Sequence, residues 1–257
     1  MKLFYRKYGS AKQNLIILHG LFGMSDNWVG IGRKLSENFT VVIPDLPNHG
    51  NSPDCDDFSF ENMVKSLDDL MDDLQIENPI ILGHSMGGKL AMKYSEIGKR
   101  TIKKLIVVDI SMRNNTIREE HLAIIDSINN TNLDICNSVQ DVEIQLRINL
   151  PHNHLVLFVL KNVKRENGKL HWKLNLQGIE PKLSSIVSGF SVNTTFSNPC
   201  LFVRGQKSDY IQDEDLPLIK KSFPMAQFET IAQAGHWVHA DNPIDFFVVI
   251  FRFLTEN

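Results

Sequence analysis

A chain of 257 residues can bury a large core, either as one α/β domain with an insertion or as two small domains. Its 42% hydrophobic and 22% charged content is that of an ordinary soluble globular enzyme, and a net charge of −3 gives no electrostatic case for nucleic acid or an acidic membrane as partner. The three scattered cysteines, Cys55, Cys136 and Cys200, form neither a disulfide framework nor a CxxC zinc pattern. The N-terminal residues lack the apolar stretch of a signal peptide, and no apolar run approaches the length of a membrane span. The expectation is a cytoplasmic protein.

Residues 15–18 are the first short apolar run, and they end at His19-Gly20. Residues 41–43 are the second, followed by Asp45. The spacing of Phe60, Val64, Leu67 and Leu74 predicts a helix over 58–74. Residues 80–82 lead into Gly83-His84-Ser85-Met86-Gly87, after which 88–94 are helix-compatible. Residues 105–108 end at Asp109. The stretch from about 111 to 196 breaks this rhythm: it is rich in Asn, Lys and Glu and has weak strand signals. Helices are predicted over 118–128 and 139–148, a helix or a strand over 155–163, and a polar turn over 164–169. Residues 201–203 resume the strand pattern and are followed by a polar turn over 205–209. A last run over 227–231 precedes Gly235-His236.

Continuous β-branched runs without alternation suit parallel strands covered on both faces. Their alternation with helices predicts an open α/β sheet, whose ligands gather at the carboxyl ends of the strands. Five such ends here carry polar groups. The irregular middle is expected either to cover that rim as a lid or to add packing helices without a gating role.

Gly83 to Gly87 matches Gly-x-Ser-x-Gly, the nucleophile elbow, in the strand-before, helix-after setting that the elbow requires. A serine hydroxyl is a weak nucleophile at neutral pH and needs a base, an acid to orient that base, and donors for the oxyanion. Ser85 is the candidate nucleophile. His236 is the candidate base, preferred to His239 because a glycine precedes it at a sharp exit from a strand. Two acids compete. Asp109 ends a strand and could instead cap a helix, whereas Asp209 could be an ordinary turn acid. The oxyanion donors are expected to be the Met86 and Leu21 amides, with Phe22 as Leu21's neighbour to watch. The zinc-hydrolase pattern HExxH is absent, and no metal is implied.

Together these residues resemble the alpha/beta-hydrolase superfamily. The matching segments are Leu18-His19-Gly20-Leu21-Phe22-Gly23, the stretch from Asp45 to Ser52, Gly83 to Gly88, and Ala234-Gly235-His236-Trp237. Within it the chain is similar to esterases of the bacterial YbfF type, through Gly83 to Lys89, Val107-Val108-Asp109-Ile110-Ser111 and Gly235 to His239. The resemblance implies the alpha/beta-hydrolase fold: a mostly parallel central sheet flanked by helices, with residues 1–110 and 197–257 as core and 111–196 as a helical lid insertion. It also favours Asp109 as the acid. The position where superfamily members commonly carry it is Ser208 here, with Asp209 displaced by one and Ser208 a further hydrogen-bond partner near His236. Asn48 stands where the family usually has glycine. The implied activity is hydrolysis of small to medium acyl esters, thioesters included, through an acyl-enzyme and without a cofactor. Other outcomes on the same site are C–C bond hydrolysis, perhydrolysis or a non-catalytic receptor role. Serine at the elbow argues against a dehalogenase, which would have Asp there. Phe22, Trp28, Phe158, Trp172, Phe190 and Trp237 are the aromatic candidates for an acyl pocket, at least half of them expected to be core. Oligomeric state is left open.

Overall fold

The apolar runs become the interior strands of a single sheet. The structure is a computed structural model that describes residues 1–256. In chain order the elements are β1 (Tyr5–Tyr8), β2 (Asn14–Leu18), α1 (Val29–Leu35), β3 (Thr40–Pro44), α2 (Phe60–Asp73), β4 (Ile80–His84), α3 (Met86–Ile97) and β5 (Lys104–Val108). The chain then leaves the sheet through α4 (Glu119–Asn130), α5 (Val139–Asn149), α6 (Asn153–Leu160), β6 (Val163–Glu166), β7 (Lys169–Trp172), α7 (Leu176–Ile179) and α8 (Leu183–Val187). It returns through β8 (Cys200–Gly205), α9 (Leu216–Ser222), β9 (Ala226–Ile231), α10 (Val238–Asp241) and α11 (Pro243–Thr255).

The sheet order is β1-β3-β2-β4-β5-β8-β9, and every pair except β1–β3 is parallel. Side chains alternate between its faces, and both faces are apolar because both are covered. Ile16 and Leu18 of β2 pack in one cluster with Val64 and Leu67 of α2 and Leu90 of α3. Leu15 and Ile17 pack in another with Ile31 and Leu35 of α1 and Phe246 and Ile250 of α11. The chain moves from β2 to β3 on one side, then crosses back to β4 on the other. The carboxyl ends of β2 and β4 therefore sit side by side where the winding reverses, the place where open α/β sheets leave a crevice.

Helix α2 begins two residues later than the predicted segment, because the Ser59 hydroxyl accepts from the Asn62 amide and caps it. Strand β1 was not predicted. It is a half-exposed antiparallel edge of Tyr, Arg, Lys and Tyr, with no apolar run to mark it. Between β5 and β8 the predicted helices appear as α4 and α5, and the ambiguous segment is helical through Leu160. The polar turn is the tip of a hairpin, β6–β7, with Asn167 and Gly168 both at positive φ. The insertion is thus helical plus a two-stranded hairpin. Among the described residues no helix is long and apolar enough to cross a membrane.

Candidate active site

Ser85 sits between β4 and α3 at φ 52° and ψ −119°, a backbone conformation that costs a non-glycine residue about 1–3 kcal/mol. Its neighbours impose it. A Cβ on Gly83 would overlap the Gly87 carbonyl, and one on Gly87 would overlap the Leu18 carbonyl, so both positions need glycine. The Ser85 amide donates to the Val108 carbonyl at 3.0 Å, and its carbonyl accepts from the Gly88 and Lys89 amides at 2.8 and 3.0 Å.

Asp109 follows β5 on a second positive-φ turn, at φ 52°, and is 0% exposed. Its Oδ1 accepts the Gly205 amide at 3.0 Å, and its Oδ2 accepts the Ser208 hydroxyl. The same Oδ2 lies 2.8 Å from His236 Nδ1, and His236 Nε2 lies 3.0 Å from Ser85 Oγ. Ser85, His236 and Asp109, drawn from the ends of β4, β9 and β5, form one hydrogen-bonded line. Asp209 is elsewhere. Its side chain is 59% exposed and pairs with Arg118 at 2.8 Å, which holds its carboxyl below the usual range. Ser208 bonds Asp109 rather than the histidine, so its effect on the imidazole passes through the carboxylate.

The His236 ring is braced from three sides. Tyr210 stacks on it at 3.8 Å between centroids, and Arg118 lies over the Tyr210 ring at 3.9 Å. His84 Nε2 donates to the His236 carbonyl at 2.8 Å. The Gly235 amide donates to Asp241 Oδ2 at 2.8 Å. His239 is instead buried against Trp28, its ring stacked at 4.1 Å. Burial, and then the charge His236 can carry, push its pKa down to about 3.

Of the expected oxyanion donors, Met86 opens α3, where an amide has no intrahelical acceptor. The Leu21 amide has no acceptor among the described residues. Phe22 is excluded, because its amide donates to His49 Nε2 at 3.1 Å. Sequence reasoning did not assign His49 that role. Burial, with His19 beside it, pushes the His49 pKa down to about 3, so the ring stays neutral and can accept at Nε2 while Nδ1 donates to the Pro47 carbonyl at 2.8 Å. His19 is used in the same way. Burial takes it to about 4; its Nε2 accepts the Leu46 amide at 2.9 Å, and its Nδ1 donates to the Gly20 carbonyl at 2.8 Å. Asn48 adopts φ 65°, a conformation that asparagine tolerates, in the place where the family usually has glycine.

Two cavities meet at Ser85. One is an open cleft lined by His84, His236, Phe22, Trp28, Phe158 and Trp237, among others. The other, smaller, lies beside Met86, Ile110, Ile186 and Val187. Of the six candidate aromatics, Trp172 and Phe190 line neither.

The family profile described as alpha/beta hydrolase fold matches residues 13–127. A zebrafish (Danio rerio) protein named sn-1-specific diacylglycerol lipase ABHD11 is 35% identical over 93% of this chain and 78% of its own length. Esterase YbfF of Escherichia coli K12 is 30% identical over the whole of both chains. Among solved structures, one described as a marine microorganism esterase superposes with a TM-score of 0.94 at 38% identity, covering 98% of this chain and 99% of that one. The chain belongs to the alpha/beta-hydrolase family. It is an enzyme of that family's ester-hydrolysing class.

Proposed function

We propose that the protein is a serine carboxylesterase that cleaves small to medium acyl esters, and thioesters by the same chemistry, through a covalent acyl-enzyme. The observation that carries this is the line from Ser85 Oγ through the His236 ring to Asp109 Oδ2, with 3.0 and 2.8 Å separations. Ser85 Oγ attacks the ester carbonyl carbon, and its proton passes to His236 Nε2. Asp109, with Oδ1 held by a backbone amide, keeps the proton of the neutral ring on Nδ1 and stabilises the imidazolium. Its burial makes that interaction stronger than a solvated pair would allow. The Leu21 and Met86 amides receive the oxyanion. The imidazolium then gives its proton to the leaving oxygen, and the bond to the alcohol breaks. Water, activated by His236, releases the acid from Ser85.

Residues 1–110 and 197–257 form the catalytic core in this reading. Residues 111–196 form a lid, because His121, Ile124, Phe158 and Val187 of that segment line the two cavities. The small molecule is the partner, and the chemistry needs only side chains and backbone amides. A reducing, cytoplasmic setting fits the three free cysteines. Hydrolysis of p-nitrophenyl acetate and butyrate tests the proposal. The protein should release nitrophenolate, and Ser85→Ala should lose that activity while keeping its far-UV spectrum. A folded Ser85→Ala protein that still turns over rejects it.

A further inference from the structure

The two cavities at Ser85 differ in one chemical respect. In the ester cleavage proposed above, on which this inference rests, His236 Nε2 must hand a proton to the leaving oxygen. That oxygen therefore lies on the side of the tetrahedral carbon that His236 faces. The larger cleft is lined by His236, and the smaller cavity is not. Met86, which supplies an oxyanion donor in this reading, lines the smaller cavity and not the larger. From this we infer that the smaller cavity holds the acyl group and the larger cleft holds the alcohol, so that the enzyme selects short acyl chains and tolerates bulky, aromatic alcohols.

Two further features agree. The larger cleft continues outward: Asn27, Phe158, Trp237 and His239 line both it and a neighbouring hollow. A departing alcohol can leave that way while the acyl group stays on Ser85. The smaller cavity has one fixed wall. Lys89 of α3 is 2% exposed, and its Nζ donates to the carbonyls of Ile186, Val187 and Ser188 at 3.2, 2.7 and 2.6 Å. The far wall is thus pinned to the helix that begins at the nucleophile. Ile186 and Val187 are themselves buried, so a longer chain meets a fixed apolar stop. The larger cleft is bounded by Phe158 and Trp237, packed edge to face at 4.2 Å, a surface suited to a ring.

The test crosses acyl length with alcohol size. kcat/KM is measured for p-nitrophenyl acetate, butyrate and octanoate, then for ethyl and 1-naphthyl acetates. The native enzyme should favour acetate and butyrate over octanoate. Val187→Ala should raise the octanoate-to-acetate ratio about tenfold, and Val187→Phe should lower the butyrate-to-acetate ratio by a similar factor, as expected when a methylene's room is given or taken. Both should leave the ratio between the two alcohols within about twofold. Phe158→Ala should do the opposite, shifting the naphthyl-to-ethyl ratio and sparing acyl length. If Phe158→Ala moves the acyl ratio and the Val187 variants move the alcohol ratio, the assignment is reversed. If neither pair moves its own ratio, the assignment fails outright. Turnover by Ser85→Ala would instead defeat the catalytic reading, so the two failures are distinguishable.

Discussion

The rim of the sheet and the segment between β5 and β8 meet over the same serine, yet they are held by different means. At the rim His19, Asp45, His49, His84 and Asp109 are all buried, and each bonds backbone groups. Asp45, for instance, accepts the Ser25 amide at 2.7 Å and the Asn51 amide at 2.8 Å. The inserted segment bonds that rim mainly through a few side chains, Lys89 to the end of α8, Asn162 to the Phe22 carbonyl, Asn175 to Asn48 and Arg118 to Asp209, with one backbone bond from the Asn175 amide to the Asn48 carbonyl at 2.9 Å. Its α5 leaves Ile144 and Ile148 in solvent, the latter 78% exposed. Groups that must hold fractions of an ångström belong on the first kind of support, and a wall that only shapes the substrate can rest on the second.

The comparison breaks most visibly if the two acids are exchanged. Asp109→Asn should lower kcat about 10⁴-fold, because an amide at that place favours the wrong imidazole tautomer. Comparable kcat in Asp109→Asn and the native enzyme would show that the buried line does not run the chemistry.

The next largest effect is on stability in acid. Burial depresses the pKa values of His19, His49 and His239 from 6.5 to about 4, 3 and 3. Each ring therefore titrates lower in the folded chain than in the unfolded one. Between about pH 6.5 and 4 the unfolded state binds more protons, and stability falls as pH falls, by up to ~1.4 kcal/mol per pH unit for each ring. Urea midpoints from pH 7 to 4.5 should drop steeply, and His49→Gln should flatten that slope while lowering stability at pH 7. A flat profile in the native protein would mean that these three histidines are not buried in neutral form.

The same division explains what the sequence disclosed. The parallel strands were legible because continuous apolar runs have few other uses, and Ser85 because an elbow needs glycines at fixed offsets. His236 was legible as a histidine after a glycine at a strand exit, and Asp109 only as one of two acids, preferred to Asp209 through the family resemblance; in the structure both lie in one hydrogen-bonded line with Ser85. Strand β1 was not legible, since an edge strand with charged residues has no periodic signature. Nor was the β6–β7 hairpin, whose four-residue strands carry Lys, Arg and Glu. The acceptor role of His49 depends on a partner brought to it by folding, as does the Arg118–Tyr210–His236 stack.

That stack supplies the smallest effect. Arg118 belongs to the inserted segment, lies over Tyr210 and pairs with the exposed Asp209. An exposed ion pair contributes about 0–1 kcal/mol, so Asp209→Asn should change stability by no more than that, and less in high salt. It frees Arg118 from its counter-charge while leaving the guanidinium against Tyr210, whose other face covers His236. With no hydrogen bond between Asp209 and the imidazole, kcat/KM for p-nitrophenyl acetate should stay close to the native value. If Asp209→Asn instead cost activity on the scale of Asp109→Asn, the exposed acid would be acting on the imidazole directly, and the contrast between rim and insertion would not hold at this point of contact.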